Sequence, residues 1–205
     1  MEFRLTYQGP LRSTQRDATG DQKCPRSQHK HDIRKYFHPQ LKRLWEVTPF
    51  LKTGERSGPG VWLLEGSQQH DYHPDSLAKK FALYGFNFVP LVTQDLNLIC
   101  GLEILFLRPG NPGSLLKSGD IDNRLKTLFD AMRPPEAQEN YSARIPAQDE
   151  QPFYCLLEDD NLITKVSVET DQLLQVESTD DNEARLVITV RLRPYELHLG
   201  NMQFS

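Results

Sequence analysis

The chain has 205 residues, 38% of them hydrophobic and 25% charged, which suits one globular domain with a sizeable core. Its 28 acids against 24 lysines and arginines leave a formal charge of -4, so no overall basic field announces a nucleic-acid partner, although local basic patches can operate on an acidic protein. No run reaches the ~20 apolar residues of a membrane helix, and the polar-interrupted start MEFRLTYQGPL is not that of a signal peptide. Cys24, Cys100 and Cys155 are odd in number and widely spaced. That argues against a disulfide framework or a cysteine-built zinc cage and for a reducing, cytoplasmic compartment.

Residues Glu2 to Tyr7 alternate, with Phe3, Leu5 and Tyr7 on one side, and predict a short strand ended by Gly9 and Pro10. The polar, mixed-charge stretch that follows reads as a loop. Between Lys30 and Val47 the spacing of Ile33, Phe37, Leu41, Leu44 and Trp45 predicts a helix that Pro39 splits or kinks. Arg34, Lys35, Lys42 and Arg43 occupy the rest of that helix, either as a solvated face or as a phosphate-contacting one. TGERSGPG is a turn-rich loop, VWLLEG a short candidate strand, and Gln68 to Ala78 is polar and ambiguous.

Phe86 to Val92 and Leu96 to Leu107 predict two strands, with Thr93 to Asp95 as a hairpin turn between them and RPGNPGS as the break beyond. Leu98, Cys100, Leu102, Ile104 and Phe106 share one face of the second strand. A helix begins near Asp122, with Ile121, Leu125, Leu128, Phe129 and Met132 on one stripe. The polar stretch 133–152 predicts an exposed insertion. Phe153 to Leu157, Leu162 to Val168 and Ala184 to Leu192 complete the strands. The sum is an α+β fold: one domain over 1–205, a small mixed or antiparallel sheet packed against two main helices, with polar insertions near 11–30, 53–80 and 133–152.

The acids carry the chemistry. Asp120 and Asp122 stand at a helix start after Gly119, and Asp122 and Lys126 are neighbours one turn apart. An N-cap explains one such acid, because its oxygen accepts orphan backbone N–H groups. Glu158, Asp159 and Asp160 form a second cluster between apolar pairs, and three consecutive acids are tolerable in a solvated turn or where a cation neutralises them. Asp120 and Asp122, with Asp159 or Asp160, suit a hard dication such as Mg²⁺ or Mn²⁺. Such an ion activates water at a phosphodiester, and Lys126 would add positive charge to the same transition state.

GDIDNRLKTLFDAM followed by LEDDNLI resembles the core of the RusA family of Holliday junction resolvases: an acid, any residue, Asp-Asn, a lysine, Phe-Asp-Ala, and later Asp-Asp before a strand. The resemblance is specific across 119–132 and 156–168. It implies a Mg²⁺-dependent (Mn²⁺-tolerant) homodimeric endonuclease that cuts branched DNA. It assigns Asp120, Asp122 and Asp160 (with Asp159 beside them) to the metal and Lys126 to catalysis. Asn123 matches the motif, and Asp130 is expected to support Lys126. Tyr7, the Arg12 to Arg16 segment and the basic residues of the first helix are the expected DNA contacts. The alternatives are a non-catalytic DNA- or protein-binding descendant of the same fold, and a metal-dependent nuclease of other specificity. The pairs His29/His31 and His70/His73 lack the partners of a zinc site, and the glycine-rich loops lack the Lys-Ser/Thr of a phosphate-binding loop.

Overall fold

A computed structural model describes residues 1–13, 26–53, 73–109, 121–136, 145–175, 180, 182–198 and 200–205. The α+β expectation holds, with two sheets in place of one. The larger sheet runs β1 (Glu2–Pro10), β7 (Glu183–Pro194), β4 (Leu98–Arg108), β6 (Ile163–Gln172) in spatial order. The β1–β7 and β7–β4 pairs are antiparallel, and β4–β6 is parallel. The smaller sheet runs β2 (Ala82–Leu83), β3 (Phe86–Val92), β5 (Phe153–Leu157), with β3 and β5 parallel. The α-helices among the described residues are α1 (Arg26–Val47), α2 (Pro49–Thr53), α3 (Pro74–Lys80) and α4 (Ile121–Ala131), and short 3-10 turns stand at Gln148–Glu150, Asp160–Leu162 and Met202–Phe204. No helix among the described residues is long and apolar enough to cross a membrane.

The period-two pattern sets the large sheet's buried face. Leu5, Ile188 and Ile104 lie in one cross-strand row, and Tyr7, Leu186 and Phe106 in the next, all of them buried. The expected inward set Leu98, Cys100, Leu102, Ile104 and Phe106 is fully met. Ile33, Phe37, Leu41 and Trp45 are the buried stripe of α1, which packs over β1 and β5. Pro39 neither splits α1 nor ends it, since the helix is one element of 22 residues with Pro39 inside. Phe86, Phe88, Phe153 and Cys155 form a second apolar cluster under the small sheet.

The hairpin expectation fails. A tight turn does follow β3, with Asn97 in the left-handed region at φ 49° and the Leu98 N–H donating to the Thr93 carbonyl. The two strands then part: β3 joins the small sheet and β4 the large one. Both are apolar enough to be interior strands: β3 lies between its chain neighbour β2 and the distant β5, and β4 lies between the distant β6 and β7. The segments read as polar insertions also carry order. α1 begins inside the first of them, and α3 fills the end of the second, with the His73 Nδ1 accepting the Asp75 N–H at its start. Within 133–152, Glu150 is buried at 3% exposure. The candidate strand VWLLEG, the glycine loops, His70, Cys24 and Asp120 lie outside the described residues.

Candidate functional site

The buried face of α4 is more polar than its apolar stripe predicts. Asn123, Arg124, Thr127 and Asp130 are buried beside Leu128 and Ala131, while Leu125 and Phe129 are only partly covered. The Thr127 hydroxyl donates to the Asn123 carbonyl (2.9 Å), and Arg124 donates to the Asn182 side chain (3.1 Å). Asp122 and Lys126 lie on consecutive turns and are exposed.

Basic residues of α1 hold the far end of α4. Arg34, 1% exposed, donates from Nε to the Arg133 carbonyl and from Nη2 to the Asp130 carbonyl, both at 2.8 Å. A cation at the last turn satisfies carbonyls that have no helical partner and suits the helix dipole. Lys30 pairs with Asp130 at 2.7 Å, Arg133 pairs with Asp130 at 3.1 Å, and Lys35 pairs with the buried Glu150 at 2.8 Å. Asp130 therefore answers to Lys30 and Arg133, not to Lys126 as expected. Arg34 is absorbed internally and is no phosphate contact, while Lys35 stays half exposed and is paired with Glu150. Tyr7 is likewise no DNA contact: it is 5% exposed and donates its hydroxyl to the Pro10 carbonyl at 2.7 Å. Arg12 pairs with Asp180 at 3.4 Å.

The second acidic run is brought to this same end of α4. The N–H groups of Leu156 and Leu157 both donate to the Met132 carbonyl at 3.0 Å, which ties β5 to the helix terminus. The three acids that follow then divide their work. Glu158 accepts the Gln94 N–H (2.9 Å) and closes the turn after β3. Asp159 accepts the Asn161 N–H (2.9 Å) and caps a short 3-10 turn, Asp160–Leu162. The Asp160 side chain accepts no backbone N–H among the described residues. It is partly buried, with Asp159, Asp130 and Arg133 as its charged neighbours. Burial, opposed by Arg133 and reinforced by the carboxylates of Asp159 and Asp130, raises its pKa above the ordinary aspartate value. Burial opposes the charge of Arg133, yet Glu136, Asp130 and Asp160 together hold it protonated.

The expected residues thus fall into two groups on one helix. Asp160, beside Asp159, lies within electrostatic reach of Asp130 and Arg133 at its end, and Asp122 and Lys126 stand exposed at its start. Asp122 and Asp130 are eight residues apart, about 12 Å along the axis. The donor set of Asp159 and Asp160, oxygen only and carboxylate-rich, has the hardness Mg²⁺ prefers. Among the described residues no group of three His, Cys, Asp or Glu side chains is close enough to hold a metal ion by itself.

Lys30, Arg133 and His38 were not singled out by the sequence, and Arg34 was read only as part of a solvated or phosphate-contacting helix face. Lys30, Arg34 and Arg133 have a weak signal, being spaced four apart on α1 and three apart from Asp130 on α4. His38 has none. Its Nδ1 accepts the Tyr154 N–H (2.9 Å), so its Nε2 carries the proton and donates to the Asp149 carbonyl (2.9 Å). Its ring lies on Phe153 with centroids 4.6 Å apart. Among the histidines considered for zinc, His31 is buried against Phe86 and Phe153, and His29 accepts the Arg12 N–H. Compared with known proteins, the chain matches no family model, no curated protein and no solved structure.

Proposed function

We propose that this chain is a metal-dependent endonuclease that hydrolyses phosphodiesters in branched DNA, as RusA-like resolvases do. The observation that carries the reading is Asp160. Of three consecutive acids it alone has a side chain that accepts no backbone N–H among the described residues, and it sits partly buried near Asp159 and Asp130, which disfavours its ionised form. A fold tolerates such a carboxylate where function uses it. The motif supports the same reading, because Asp122 and Lys126, exposed one turn apart on α4, are accessible to a DNA backbone.

The resemblance assigns the cation to Asp120, Asp122 and Asp160, with Asp159 beside them. Asp122 and Asp160 stand toward opposite ends of α4, too far apart to share one ion. In this proposal Asp159 and Asp160 would therefore hold it, with Asp122 and Lys126 on the exposed face toward the DNA. Mg²⁺ supplies Lewis acidity and an activated water when bound. Lys126 places an ammonium against the phosphoryl oxygens as their charge develops. Lys30 and Arg34, by fixing the end of α4, position the turn that presents Asp160.

The test is cleavage of a synthetic four-way junction with and without Mg²⁺. Asp122→Asn is expected to lose at least about a hundredfold in rate, with its melting temperature unchanged because Asp122 is exposed. Lys126→Ala is expected to lose a comparable factor. Normal cutting by Asp122→Asn removes the proposal. The ion pairs that already balance Asp130 favour the alternative of a non-catalytic binding descendant. Calorimetric titration with Mn²⁺ separates the two, since a set of capping acids takes up no stoichiometric metal.

A further inference from the structure

The two edges of the large sheet are treated differently. Along β1, the Gln40 side chain of α1 imitates a neighbouring strand: its oxygen accepts the Thr6 N–H (2.9 Å) and its nitrogen donates to the Thr6 carbonyl (2.8 Å). Along β6, no strand of the described residues pairs with the outer edge. The β6 strand is also the most exposed strand of that sheet. A row that is buried at Val190 and Leu102, both 0% exposed, ends at Val166 with 43% exposure. An unguarded edge of this kind is a template for another strand.

The sequence of β6 says which strand. Residues 164–170 read Thr-Lys-Val-Ser-Val-Glu-Thr, the same from either end about Ser167 except that Lys165 is answered by Glu169. Antiparallel pairing of this strand with itself places Ser167 opposite Ser167, Val166 opposite Val168 and Thr164 opposite Thr170. It also places each Lys165 opposite a Glu169 of the other copy. Cross-strand apolar and opposite-charge pairs are the units that stabilise a sheet. Lys165 and Glu169 lie on the sheet's outer face with Glu103 and Leu105, and Val166 and Val168 on its core side with Leu102 and Ile104. One register therefore satisfies both faces at once.

We propose that two copies of this chain associate through the outer edges of β6, antiparallel and with Ser167 on the two-fold axis, joining the two large sheets into one of eight strands. The self-complementary charge order selects a second copy over an unrelated peptide. A homodimer is also what the RusA resemblance implies; the interface proposed here is argued from β6 itself, and its tests read mass rather than cleavage.

The full-length chain is expected to show a concentration-dependent dimer by sedimentation equilibrium. Lys165→Glu and Glu169→Lys each set like charges opposite one another at two symmetric places and are expected to raise the dissociation constant about tenfold. Lys165 also pairs with Glu103 at 3.3 Å, so the decisive variant is the double Lys165→Glu/Glu169→Lys, which restores opposite pairing and is expected to regain dimerisation. Directly opposed residues have Cα atoms about 4.5–5.5 Å apart, within disulfide range. Ser167→Cys is accordingly expected to form a covalent dimer on mild oxidation, and Val187→Cys, on the outer face of β7, is not. Circular dichroism of each variant establishes that it is folded. A wild-type chain that stays monomeric, single reversals that dimerise as tightly as wild type, or a double variant that does not recover each overturn the proposal.

Discussion

Asp160 and His38 are two titratable side chains whose surroundings oppose their charge, and their pKa values move in opposite directions. The folded pKa of Asp160 is raised, so its contribution to stability is fully present below the ordinary aspartate range and is lost as pH rises through the folded value. Asp160→Asn is therefore expected to melt higher than wild type at neutral pH, with the difference vanishing toward pH ~4. Thermal melts of the two proteins across that range check it. If function retains Asp160, the more stable variant is also the one inactive on junctions. The folded pKa of His38 is lowered, by burial first, with the nearby Lys42 adding to it. Its neutral form accepts the Tyr154 N–H, so stability is present above the ordinary histidine pKa of about 6.5 and falls as the solution is acidified through it. Melting temperatures at pH 7.5 and 5.5, compared between wild type and His38→Gln, are expected to diverge through loss of that acid dependence. The buried thiols answer differently. Burial pushes Cys100 up to about 12 and Cys155 higher still, so both are expected to remain unmodified by alkylating reagents in the folded chain.

At the scale of elements, the join between α1 and α4 depends on Arg34. This buried guanidinium satisfies two carbonyls at the end of α4, and removing it leaves those carbonyls without donors in the interior. Arg34→Met is expected to cost about 3 kcal/mol, read by chemical denaturation. Arg34→Lys is expected to recover only part of that, since a single ammonium cannot reproduce the planar fork. The helical stripes of α1 and α4 were legible because apolar spacing at three and four residues reports which face is buried. What was not legible was that Asn123, Thr127 and Asp130 would be buried as well. Polar side chains go inside where a partner waits, and the partners of Asp130 are Lys30, 100 residues earlier, and Arg133. Lys35 and Glu150 make the same point: each reads as surface charge alone, and together they tie the segment before β5 to α1. The three-acid run was legible as a cluster. Only the turn around it distinguishes Glu158 and Asp159, which accept backbone N–H groups, from Asp160, which does not.

For the molecule as a whole, the large sheet joins the two ends of the chain, with β1 lying against β7 and β7 against β4. Its core depends on rows such as Leu5, Ile188 and Ile104, and Ile104→Ala is expected to cost about 3 kcal/mol through the cavity it leaves. Local pattern determined much of this: the strands at the N-terminus, at 98–108 and at 184–192, their inward-facing residues, the two long helices and the α+β class. These depend on side-chain period, which a strand or helix carries within a few residues. The tertiary structure alone decided that the strands on either side of the Gln94–Asn97 turn part into different sheets. It also decided that Lys30 and Arg34 of α1 turn toward the end of α4, and that Asp160 lies toward that end while Asp122 marks the start. Pairings of this kind join residues tens to hundreds of positions apart. Their free energy lies in desolvation and charge balance at the contact, which neither partner's neighbourhood in the chain encodes.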